Sequence, residues 1–187
     1  MSFTSTLLTR IDYNTELIRK EFGGLDKETF NARPDANSWS VAQCIDHLYT
    51  VNASYFEPLE QVLHGEYKTH WLSRVSFIVN FFGKMILNSV QPRRRKKLRT
   101  FGIWEPEQSA LGTELIEQFA EQQEELKKLI AASEELINAG QVISSPANRT
   151  IVYRLATACE IIVAHEERHI AQAREALQQV QEAQKHQ

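Results

Sequence analysis

Apolar residues recur along this chain at intervals of three and four, and nowhere is there a sustained alternation of period two, so the pattern predicts an all-α fold. In the first segment Leu7, Ile11, Asn14, Ile18 and Phe22 share one stripe, and Gly23-Gly24 supplies the stop that glycine provides at a helix C-terminus. A first helix is expected over residues 3–22. Pro34 marks a loop, after which SVAQ at 40–43 has the form of a capping box, with Ser40 as cap and Gln43 reaching back to it. The second helix should begin there, turn Val41, Cys44, Ile45, Leu48, Val51 and Tyr55 inward, and be kinked or shortened at Pro58, which lacks a backbone donor. A third helix is expected from about 107 to 137 on the stripe Leu111, Leu115, Phe119, Gln122, Leu126, Leu129, Ser133 and Leu136, with Gly140 just past its end. Ser144, Ser145 and Pro146 punctuate a further loop, and a fourth helix is expected from about 149 to 182.

Between the second and third helices, Trp71, Val75, Ile78, Phe82 and Met85 recur at helical spacing and predict an inserted helix with a strong apolar face. PRRRKKLR follows, in which six of the seven residues from Arg93 to Arg99 are basic. The organisation expected is a four-helix bundle carrying a helical insertion and basic loop at about 66–106, all within one domain spanning 1–187.

Composition changes this picture little. Hydrophobic residues make up 42% and charged residues 24%, ordinary for a globular protein, and a net charge of -3 gives no global attraction to nucleic acid or anionic lipid. The basic run lacks the interleaved aromatic residues that stack on bases, so a solvated loop is expected there and nucleic acid is not an expected partner. The inserted helix is expected to cover one end of the bundle or to form a homodimer contact, and no membrane association is expected: Ser73, Arg74, Ser76, Asn80, Lys84 and Asn88 interrupt the most apolar window. The N-terminal segment does not read as a signal peptide, and two cysteines are too few for a disulfide framework; a cytoplasmic location is the expectation. Cys44 and Cys159 are expected to be small core residues.

The chemistry lies in the histidines. HEERH at 165–169 has the H-E-x-x-H form of zinc proteases. In the fourth helix Ile151, Leu155, Ala158, Ile162, His165, His169, Gln172 and Ala176 continue one inward stripe, and a rise of about 1.5 Å per residue sets the two histidines roughly 6 Å apart along the axis, close enough to converge on one ion. A protease would take its third ligand from downstream and place a strand beside the metal, yet only 18 residues follow His169 and no strand is visible; Glu166 also need not face the metal's open side. His47, between Cys44 and Val51 on the second helix, can lean into the same interior, whereas His64 and His70 lie near the ends of the insertion and His186 lies in the tail. If the second and fourth helices are neighbours, His47, His165 and His169 form a three-nitrogen metal site with coordination positions open for water or substrate. The bland alternative is three core histidines, each satisfied by a neighbour.

NSWSVAQCIDHL at 37–48, with a tryptophan before the cap and a histidine in the second helical turn, resembles the first metal motif of the DinB/YfiT-like superfamily. HEERHIAQ at 165–172 resembles its closing motif, and KKLRTFGIWEPEQS leading into the third helix is similar to its pattern between the two. The resemblance implies a four-helix bundle holding one divalent metal through His47, His165 and His169. It also implies kinship with thiol-dependent S-transferases, a thiol-dependent isomerase, and proteins called metal-dependent hydrolases on fold analogy alone.

The leading expectation is therefore an enzyme whose zinc, nickel, iron or copper ion activates a low-molecular-weight thiol for attack on a small-molecule electrophile. No side chain is assigned a catalytic role, although Gln172, one turn beyond His169, is placed to bond a ligand of the metal. The alternatives are a metal-bound module that binds or senses a ligand without turnover and, least favoured, the metalloprotease.

Overall fold

The computed structural model describes residues 2–91, 100–106 and 110–185. It is mostly helical. Helix α1 (Phe3–Phe22) begins where the Ser2 hydroxyl accepts the Ser5 N–H and buries the predicted stripe from Leu7 to Phe22. A short α2 (Lys27–Asn31), not foreseen, is capped by Asp26 and buries Phe30. Helix α3 (Val41–Leu63) starts on the capping box of Ser40 and Gln43, with both reciprocal bonds formed, and buries all six of its predicted inward residues. Pro58 does not end it, and the helix runs five residues further to Leu63.

The insertion is helical but turned differently from expectation. Trp71–Arg74 forms a separate 3-10 turn, and α4 (Ser76–Val90) buries Val79 and Gly83 rather than the Trp71, Val75 and Met85 side. Helix α4 packs on the last helix and on the strand before it. A methyl added at Gly83 would lie 3.2 Å from Thr157 Cγ2 and 3.4 Å from Tyr153 Cβ, so glycine leaves room for these two side chains to pack against α4. Phe77 and Phe81 of α4 stay exposed, at 78% and 54%, as does Trp71 at 67%. The basic run from Arg93 to Arg99, and His186, lie outside the described residues.

The third long helix is shorter than its stripe suggested. Helix α5 (Leu115–Ala132) starts late because Asn31 claims the backbone of Leu111: its side-chain amide donates to the Leu111 carbonyl and its oxygen accepts the Leu111 N–H, both at 2.8 Å. It stops at Ser133, whose hydroxyl donates back to the Leu129 carbonyl at 2.8 Å, a bond that bends helices. A short α6 (Glu134–Asn138) follows, and Gly140 makes the next turn with a φ of 76°.

The mostly helical fold agrees with the expected all-α class, but a small hairpin corrects the expectation of a last helix from 149. β1 (Val142–Ser145) pairs antiparallel with β2 (Asn148–Arg154), and only then does α7 (Leu155–Lys185) begin. Thr150, Ile151, Val152 and Tyr153 form a β-branched and aromatic run that prefers a pleated surface, although Ile151 also fits the helical spacing of the residues after it.

The long helices pack α1 against α5, α5 against α3, α3 against α7 and α7 back against α1. Their apolar side chains divide into two clusters. One contains Leu7, Ile11, Val51, Tyr55, Leu126 and Ile162; the other contains Ile18, Phe22, Ile45, Leu48, Phe119 and Ile170. Close to where the two clusters meet, each long helix carries a buried polar residue: Asn14 on α1, Asn52 on α3, Gln123 on α5 and Glu166 on α7. Among the described residues no helix is long and apolar enough to cross a membrane.

Candidate metal centre

Within the HEERH motif the glutamate and the two histidines meet different partners. Glu166, fully buried, accepts from Asn14 Nδ2 at 3.0 Å, from Asn52 Nδ2 at 2.8 Å and from Gln123 Nε2 at 2.7 Å. Burial pushes its carboxyl above the ordinary value, and the three amide donors oppose that shift. With both oxygens engaged in the helix interior, Glu166 is not placed as a general base beside the histidines. The protease reading therefore fails on geometry, although the chain does contain strands, in the hairpin of β1 and β2.

The histidines meet instead on the neighbouring face. His47 from α3 and His165 and His169 from α7 present ring nitrogens that all lie within 4.8 Å of one another. Their ring centroids stand 5.0 Å apart for His47 and His165, 4.6 Å for His47 and His169, and 4.5 Å for His165 and His169. His47 Nε2 approaches His165 Nε2 at 3.3 Å. Sequence reasoning found these three residues, and α3 and α7 are indeed neighbours.

Their protonation follows from their surroundings. Burial lowers the pKa of all three; at His165 the neighbouring His47 and Arg168, and at His169 the neighbouring His165, His47 and Arg168, lower it further, to well below the ordinary imidazole range. The rings are therefore neutral near pH 7, the state in which imidazole donates a lone pair to a metal. At His47 the tautomer is fixed as well. Its Nδ1 lies 2.6 Å from the carbonyl oxygen of Trp104, which can only accept, so the proton sits on Nδ1 and the Nε2 lone pair faces the cluster. His165 Nδ1 and His169 Nδ1 are buried without a hydrogen-bond partner among the described residues. Three lone-pair donors converging within 4.8 Å fit a cation better than they fit three separately satisfied core histidines.

Aromatic residues frame the cluster. Trp39, immediately before the Ser40 cap, stacks on His169 with centroids 5.7 Å apart and planes 22° apart, and tilts against His47 at 5.0 Å. Trp104 reaches His47 from the 3-10 turn Gly102–Trp104, and its ring meets Phe101 edge-on at 5.6 Å. This contact of Trp104 was not anticipated. An aromatic residue set between Gly102 and Pro106 was its one trace in the sequence.

A cavity of about 920 Å³ opens on the cluster, and its walls include Trp39, all three histidines, Arg168 and Gln172. Arg168 Nη1 donates to the Ser89 carbonyl at 2.9 Å and so ties α7 to α4 at the cavity wall. Of the other histidines, His64 caps the end of α3 and His70 caps the 3-10 turn, and neither joins the cluster. Cys44 and Cys159 are fully buried in the apolar clusters as free thiols, and burial raises the pKa of both, that of Cys159 to about 12.

Compared with known families, the sequence matches the DinB superfamily over residues 10–173, a span that runs from within α1 to just past the histidine motif in α7. Neither the curated proteins nor the solved structures yielded a match.

Proposed function

Because the chain belongs to the DinB superfamily, we propose that it is a divalent-metal-dependent enzyme built on that superfamily's four-helix bundle, with His47, His165 and His169 as ligands of one ion. The observation that carries this reading is the approach of three neutral ring nitrogens to within 4.8 Å of one another on the wall of a cavity. All-imidazole ligation suits zinc, nickel or iron. When bound, such an ion supplies an undiminished positive charge that lowers the pKa of a water or thiol and favours the anionic nucleophile.

The chain's own residues set the stage for that chemistry. The Trp104 carbonyl holds the orientation of His47, and Trp39 stacks against His169. Gln172 offers an amide to a small-molecule substrate one turn from His169, and Arg168 adds positive charge to the same wall. The reaction favoured is transfer of an electrophile to the sulfur of a low-molecular-weight thiol, with hydrolysis as the variant in which water takes the thiol's place. A cytoplasmic enzyme would meet such thiols in reduced form.

Elemental analysis of purified protein beside a His47→Ala variant tests the ligand set. About one equivalent of metal, lost in the variant, is expected; no metal in either protein overturns the reading. Conjugation of chlorodinitrobenzene by the metal-loaded protein with a panel of small thiols then tests the reaction. Bound metal with neither conjugation nor ester hydrolysis would leave a ligand-binding module in place of an enzyme.

A further inference from the structure

The cavity changes character along its length. Helices α3 and α7 run past each other in opposite directions, since His47 stands beside His165 and His169, Asn52 bonds Glu166, and Tyr55 bonds Tyr153, which precedes α7. Among the lining residues, the steps up α3 from His47 are Val51 and Tyr55, and the step back along α7 from His165 is Ile162. Strand β2 adds Ile151 and Tyr153, and α4 adds Ile86. In the other direction α7 contributes Gln172 and Glu175, on the side where Asn37 also lines the cavity. The histidines stand at the boundary between an apolar end and a polar end.

The apolar end offers little to a polar ligand. The hydroxyls there are already engaged: those of Tyr55 and Tyr153 bond each other at 2.9 Å, Ser145 bonds Tyr153, and Ser89 donates to the Ile86 carbonyl at 2.6 Å. From His47 to Tyr55 the helical rise amounts to about 12 Å, long enough for more than a single small group. Sites that orient a ligand combine an apolar wall with a few convergent polar groups, and here those groups gather at one end.

We propose that the end of the cavity between the histidines and the tyrosine pair receives an extended apolar group of the substrate, aryl or medium-length alkyl, while the substrate's polar part lies toward Gln172 and Glu175. The identification of this ligand as a substrate rests on the reading of the three histidines as the reacting centre. The existence of the apolar subsite does not.

Binding of n-alkanols of increasing length, read as displacement of a polarity-sensitive naphthalene dye, tests the proposal in both zinc-loaded and metal-free protein. Affinity is expected to rise about fourfold per methylene and to level off when the chain reaches the tyrosines. Ile86→Trp and Ile151→Trp, at half-buried wall positions on different elements, are expected to abolish the dependence on length. Phe77→Ser, on the outer face of α4, is expected to preserve it. A flat series in the wild-type protein overturns the proposal whether or not the tryptophan variants fold. So does a series that survives in both folded tryptophan variants, or one that vanishes in Phe77→Ser. Failure to bind zinc would remove the metal reading and leave the alkanol series legible in the metal-free protein.

Discussion

Across 2.6 Å, the Nδ1–H of His47 donates to the backbone carbonyl of Trp104, a residue 57 positions away in sequence. One ligand of the proposed metal is thus oriented by a loop that belongs to neither helix of the cluster. Partners of this kind tune affinity by about tenfold to a hundredfold. Trp104→Ala is expected to loosen the loop and weaken zinc binding by at least about tenfold, measured by competition with a chromophoric chelator. Unchanged affinity would mean that the Trp104 side chain is not what holds this carbonyl against His47.

The bonds from Asn14, Asn52 and Gln123 to Glu166 make these four residues one energetic unit. Glu166→Ala leaves three buried amides without their acceptor and is expected to cost about 3 kcal/mol or more in urea denaturation. Asn14→Ala is expected to cost less, and in the double variant the two losses should fall short of their sum, because both remove the same bond. Strict additivity would refute the coupling.

Acid should act on the metal-free protein through the histidines. Their folded pKa values lie below the unfolded value of about 6.5, so as pH falls below that value the unfolded chain takes up protons that the folded rings refuse. Stability is expected to be insensitive to these groups above about pH 6.5 and to decline below it, by at most about 1.4 kcal/mol per pH unit for each ring. Glu166, raised above its unfolded value, acts with the opposite sign, its contribution being lost as pH rises through its folded pKa. Comparison with His165→Ala/His169→Ala, which retains Glu166, isolates the imidazoles. The variant's slope should be shallower, and an equal slope would contradict the assignment.

Cys44 and Cys159 should behave as core residues and not as the reacting thiol. With both buried and their thiols shifted upward, iodoacetamide is expected to label neither in the folded protein and both after unfolding. Rapid labelling of Cys44 under native conditions would give it a chemical role.

The long helices and the inward histidines of α7 are legible because each is written locally. The stripe of α1, the capping box of Ser40 and Gln43, and the one-turn spacing of His165 and His169 depend on neighbours a few residues apart. What was hidden depends on distant partners. The late start of α5 is set by Asn31, 80 residues before Leu111. The outward turn of Phe77 and Phe81 follows from the close fit of Gly83 on Thr157, and the contact of Trp104 with His47 comes from a loop without periodicity. The hairpin was missed for another reason: Ile151 satisfies the helical spacing and the strand propensity at once, and only pairing with Val142–Ser145 decides between them. Glu166 was seen as a letter in a protease motif. Its true neighbours, one on each of the other long helices, could not be read from the motif itself.

The glycine at position 83 has a bearing on the chamber behind the histidines. Because α4 rests at Gly83 on the side chains of Thr157 and Tyr153, the wall that carries Ile86 stands close against α7 and β2. Any larger side chain at that point would act as a wedge. The width of the chamber, and with it the girth of whatever enters, thus depends in part on how closely the bare glycine lets that wall settle.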